Sequence, residues 1–156
     1  MKVLFLCTAN SCRSILSEAV FNHLAPAGMK AYSAGSQPKG EVNPLSLAAL
    51  RRAGISTEGL SSKSSDVHAD LVPDYVITVC DKAAGEACPV LFGPAIKAHW
   101  GLTDPSDLEG TDAEMNAAFD ATLKHIERQI SAFLELPFGE LDADQLKAEL
   151  ARIGTL

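Results

Sequence analysis

The first 24 residues constrain this chain more than any other stretch. An apolar run, "KVLFLC" (residues 2–7), breaks off at Cys7. Five small or polar residues follow, Thr8 to Cys12, and then Arg13 and Ser14 stand at the mouth of "ILSEAVFNHLA" (residues 15–25), in which Ile15, Ala19 and Leu24 are spaced along one helical face. A buried strand, a short loop and an amphipathic helix make the opening of a β-α-β unit. Such a unit commits the chain to a parallel sheet, because two parallel strands can be joined only by a crossover long enough to hold a helix.

The rest of the chain repeats the alternation. "KAYSAG" (30–35) reads as a second strand and "NPLSLAALRRAG" (43–54) as a helix capped by Asn43, opened by Pro44 and ended by Gly54. "YVITVC" (75–80) is a third strand and "AIKAHWG" (95–101) a fourth. Thr111 and Glu114 form a T-x-x-E capping pattern before the apolar series Met115, Phe119, Ile126, Ile130 and Phe133, which ends at "LPFG". Asp142 and Gln145 open a last short helix with Leu146, Leu150 and Ile153, while "SSKSSD" (61–66) reads as a polar surface loop. The expected fold is α/β: a single-domain, open, mostly parallel four-stranded sheet with helices on both faces.

At 156 residues one domain suffices, and a core of that size needs no disulfide or metal to hold it. A formal net charge of −7 argues against nucleic acid or an anionic membrane as the partner, and no stretch approaches the ~20 apolar residues of a membrane span. The expectation is a cytoplasmic protein whose cysteines, Cys7, Cys12, Cys80 and Cys88, are free, catalytic or metal-binding rather than a structural framework. Their spacing lacks the close ligand pairs of a structural zinc site, and His23, His68, His99 and His125 form no cluster in the sequence.

In an open α/β sheet ligands bind beyond the carboxyl ends of the strands, where a helix N-terminus offers N–H groups to an anion. Cys7 falls at that turn. The spacing C-x5-R lets the loop from Thr8 through Ala9, Asn10, Ser11 and Cys12 wrap an oxyanion, with Arg13 adding a bidentate fork and Ser14 a hydroxyl. The same donors favour a Cys7 thiolate, the form that acts as nucleophile. The plainer alternative is a structural cysteine at a strand end. "HWGLTDPSD" (99–107) supplies a candidate acid in Asp104, with Asp107 as competitor. Cys80 ends its own strand, at the sheet edge where Cys7 emerges, and Cys88 follows in a loop, "DKAAGEACP" (81–89).

The segment "CTANSCRS" (7–14) resembles the phosphate-binding loop of the low-molecular-weight protein tyrosine phosphatase fold, which includes the arsenate reductases built on it. The resemblance covers residues 1–136 as the phosphatase-like domain and leaves 137–156 as a C-terminal helical extension. Ala9 stands where the family leads one to expect glycine, and Ser106 where a phosphatase carries an aromatic residue after Asp-Pro. The resemblance implies Cys7 as nucleophile, Arg13 for charge stabilisation, Asp104 as general acid and Cys80 with Cys88 as a redox pair regenerated by thioredoxin or glutaredoxin. It implies arsenate or a phosphate-like oxyanion as substrate and no organic cofactor. A potassium ion would map to Asn10, Glu18, Ser33 and Asp66. Without use of the thiol pair, the same loop serves a tyrosine phosphatase or small phosphomonoesterase.

Overall fold

The computed structural model describes residues 1–68, 70–79, 95–102, 105 and 109–156. Four strands, β1 (Lys2–Leu6), β2 (Lys30–Ala34), β3 (Tyr75–Thr78) and β4 (Ile96–His99), form one parallel sheet in the order β2-β1-β3-β4. The helices are α1 (Arg13–Leu24), α2 (Pro44–Arg52), α3 (Asp112–Leu134) and α4 (Ala143–Ile153). β1 is central, and its four apolar residues Val3 to Leu6 are all buried, as expected of a strand covered on both faces.

Alternation along β1 divides the interior. Val3 and Phe5 join the main core with Leu16 and Val20 of α1, Phe119, Ile126 and Phe133 of α3, and Leu150 and Ile153 of α4. Leu4 and Leu6 point the other way and pack with Ala34, Val76 and Ala95. Rings of Phe5, Phe21, Tyr75, Trp100, Phe133 and Phe138 meet edge-on or tilted at 5.1–6.2 Å, so the scarce aromatics are concentrated in the main core. α4 is anchored here as well: Trp100 Nε1 donates to the Leu150 carbonyl at 2.9 Å.

The local signals form with small shifts. Asn43 caps α2 by accepting from Leu45 N, and Gly54 adopts φ +74° just past its end. Asp142 and Gln145 make a complete capping box on α4. On α3 only half of that pattern forms, because the Glu114 side chain meets the Thr111 hydroxyl rather than its backbone N–H. Leu24 does not share the buried face of α1; it is 40% exposed in the last turn, and Ile15, Leu16, Ala19 and Val20 carry the packing. β3 ends at Thr78 because its partner β1 ends at Leu6, opposite it. No helix among the described residues is long and apolar enough to cross a membrane.

The order β2-β1-β3 positions the candidate site. The chain leaves β1 toward β2 on one side and returns as β3 on the other, so the connections diverge at the carboxyl ends of β1 and β3 and leave a crevice there.

Candidate active site

Cys7 leaves β1 at this crevice, its N–H still donating to Ala34 O at 3.2 Å. The loop that follows turns its carbonyls outward. Thr8 O accepts from Gln37 N, Ala9 O from Lys39 N and the Ser62 hydroxyl, and Ser11 O from Asn43 N, all at 2.9–3.0 Å. A planar peptide places each N–H opposite the C=O of the residue before it, so the Thr8 and Ala9 carbonyls tied to the outer wall aim the amides of Ala9 and Asn10 at the inner side of the loop. Among the described residues, the amides of Ala9, Asn10 and Ser11 meet no protein acceptor, although Asn10 and Ser11 are buried. Buried donors of this kind are paired in native proteins, which here calls for an anion or solvent in the loop. α1 begins directly afterwards at Arg13 and adds its N-terminal dipole.

The loop's shape depends on Asn10. Its φ of 46° is the one positive value at a non-glycine among the described residues, a conformation that asparagine tolerates better than most. Ala9 therefore carries no such strain, and the expectation of glycine at that position is unnecessary in this loop. The Asn10 side chain is fully buried. Nδ2 donates to Ser14 Oγ at 2.7 Å and Ser33 Oγ at 3.0 Å, while Oδ1 accepts from Lys63 N at 2.9 Å. These bonds tie the loop to α1, β2 and the 61–65 segment at once.

Gly35 closes the wall behind the loop. A Cβ there would lie 2.7 Å from Cys7 O and closer still to Thr8 O, so no larger residue fits without moving the loop. The stretch 61–66 keeps Ser61 and Asp66 exposed, as a surface loop would, but it also packs against the site. Ser65 is buried, Ser64 bridges to Gly35, and Ser62 and Lys63 bond directly to the Cys7–Cys12 loop. The run of serines was the available signal, since small hydroxyl side chains suit a segment that must lie close against another backbone.

Cys7 and Cys12 are both buried thiols, not joined to each other, and Cys12 is the residue from which α1 starts. The Arg13 guanidinium donates through Nη1 to Leu102 O at 3.0 Å, and Leu102 N in turn bonds to Val79 O. Thr8 to Ser14 thus gather around one turn, with Arg13 held to the chain that follows β4. Asp104, Cys80 and Cys88 lie outside the described residues, as does Asp107. Of the four cation positions, Asn10, Glu18 and Ser33 adjoin one another, whereas Asp66 is exposed. Among the described residues no three His, Cys, Asp or Glu side chains cluster as a metal site.

Nearby, His68 Nε2 donates to Ser33 O at 3.1 Å, and its ring meets Tyr32 edge-on. Burial, with the Lys63 charge adding to it, lowers the pKa of this histidine from 6.5.

The family model described as low molecular weight phosphotyrosine protein phosphatase matches residues 2–151. A curated arsenate reductase of Shouchella clausii is 36% identical over 136 residues, spanning 85% of this chain and 94% of its own. The solved structure of an arsenate reductase in the phosphate binding state superposes with a TM-score of 0.70 at 26% identity, over 85% of this chain and 95% of that one. A thioredoxin-dependent arsenate reductase of Corynebacterium glutamicum gives a TM-score of 0.59 at 29% identity, over 83% of this chain and 61% of the other. The chain therefore belongs to the low molecular weight phosphotyrosine protein phosphatase family.

Proposed function

We propose that this protein is an arsenate reductase in which Cys7 is the nucleophile and the loop from Thr8 to Ser14 holds the oxyanion. The observation that carries the reading is the loop itself, with its carbonyls bonded outward and the amides of Ala9 and Asn10 left for a tetrahedral anion. The choice of arsenate rests on the relatives, which are arsenate reductases.

The proposed chemistry balances as follows. The Cys7 thiolate forms a bond to arsenic(V), and one arsenate oxygen leaves as water after taking a proton from Asp104. Arg13 and the loop amides hold the remaining oxygens. The Cys80 thiolate then attacks the Cys7 sulfur. The sulfur–arsenic bond breaks with its electron pair going to arsenic, which departs as arsenite, and a Cys7–Cys80 disulfide remains. Cys88 attacks Cys80, freeing Cys7 and leaving a Cys80–Cys88 disulfide for an external dithiol protein such as thioredoxin or glutaredoxin. The thioredoxin-dependent relative supports the first of these reductants.

The second reading, a phosphatase for phosphotyrosine or small phosphomonoesters, is favoured by the family description and needs only Cys7, Arg13 and an acid. Electron counting separates the two. Cys80→Ser and Cys88→Ser are expected to abolish multiple-turnover arsenite formation coupled to thioredoxin while sparing hydrolysis of an aryl phosphate. Full arsenate turnover by both variants would remove the disulfide cascade from the mechanism.

A further inference from the structure

Beneath the loop lies a charged cluster that the proposed reaction does not use. Glu18 lies on α1, and its side chain is only 12% exposed. It accepts from Ser33 Oγ at 2.5 Å, and Ser33 Oγ accepts from Asn10 Nδ2 at 3.0 Å, so two aligned hydrogen bonds lead from the carboxylate to the residue that shapes the loop. Left alone, a half-buried carboxylate here would oppose the thiolate and the oxyanion that the loop is built to hold.

Lys63 supplies the opposing charge. Its Nζ lies 3.6 Å from Glu18 Oε1, 3.4 Å from Ser33 Oγ and 2.7 Å from Ser61 O, with a side chain 19% exposed. Its own backbone N–H is the donor that Asn10 Oδ1 accepts. Of the oxygens a monovalent ion would need, those of Glu18 and Ser33 meet, but Asn10 and Asp66 do not complete the set. Asn10 presents Nδ2, not Oδ1, to Ser33; its Oδ1 is already engaged; Asp66 is exposed. The four positions therefore do not fit a potassium ion. Among the described residues, the other titratable group bonded to the cluster is His68, which bonds Ser33 O from the 3-10 turn Ser65–His68.

We propose that the Lys63 ammonium is a built-in counter-cation for Glu18 and positions the Asn10 hinge of the loop, making oxyanion binding independent of any added monovalent cation. Lys63 is on this view a positioning residue that acts through Ser33 and Asn10. The proposal rests on reading the Cys7–Ser14 loop as an oxyanion site.

The test measures protection of Cys7 by inorganic phosphate against iodoacetamide, resolved by peptide mass spectrometry, in potassium chloride and in tetramethylammonium chloride at equal ionic strength. Wild-type protein should bind phosphate equally in the two salts. Lys63→Gln should weaken phosphate roughly 5- to 20-fold in both salts. Lys63→Arg should stay near wild type, and adding Glu18→Gln to Lys63→Gln should restore most of the affinity by removing the unbalanced charge. A potassium requirement in the wild type overturns the proposal, and so does a Lys63→Gln protein equal to wild type in both salts. The wild-type salt comparison and Lys63→Arg decide the matter even if Lys63→Gln does not fold. Wild-type Cys7 that phosphate never protects would refute the oxyanion site itself.

Discussion

Arg13 Nη1 donates to the carbonyl oxygen of Leu102 at 3.0 Å, joining residues 89 positions apart in the chain. That bond fixes the guanidinium at the start of α1 against the segment that leaves β4, two residues ahead of Asp104 in sequence. Arg13, next to the Thr8–Cys12 loop, and Leu102, beyond the end of β4, are thus held by one contact. Leu102 N donates to Val79 O, so the end of β3 belongs to the same brace.

Arg13→Lys keeps the charge and loses both the planar fork and the geometry of the Leu102 bond. It should lower kcat/KM for arsenate and for an aryl phosphate alike, by about 10²- to 10³-fold. Steady-state kinetics on both substrates checks this, and a variant within tenfold of wild type would remove Arg13 from the chemistry.

Gly35→Ala should destabilise the protein by about 1–3 kcal/mol, since the new methyl meets backbone oxygens of Cys7 and Thr8 rather than a flexible side chain. Phosphate protection of Cys7 should weaken with it. Urea denaturation and the alkylation assay report the two effects separately; unchanged values in both would mean the wall behind the loop is not rigid.

Asp104→Asn should leave phosphate binding nearly intact while reducing turnover by about 10²-fold or more, the scale of general acid catalysis. Asp107→Asn should behave like wild type. The reverse pattern would assign the acid to Asp107.

His68 gives a pH dependence whose sign is fixed by its burial. Its folded pKa is lowered from 6.5, so the unfolded chain takes up the proton first as the pH falls. Its contribution to stability should be full above pH 6.5 and decline as the pH drops from there through the lower folded value. Urea midpoints between pH 8 and pH 5 should show this decline in the wild type and a shallower one in His68→Gln. An unchanged slope in the variant would assign the effect to other groups.

The elements were legible in the sequence, as was the C-x5-R spacing of Cys7 and Arg13 at the head of the chain. A strand such as Val3–Leu6, the Asn43 cap, the Asp142–Gln145 box and the C-x5-R spacing are all satisfied within a few residues, so local pattern is enough to show them. It also placed the loop between a strand and a helix, where backbone amides can face an anion. What braces that loop was not legible there, because the bracing contacts come from the folded chain. The left-handed turn falls on Asn10, and its partners Ser33 and Lys63 come from separate segments. Gly35 presses on Cys7 and Thr8, and Glu18 meets Lys63, for the same reason. The sheet order brings these segments to one edge, and a contact between residues far apart in the chain exists only once the strands between them have paired.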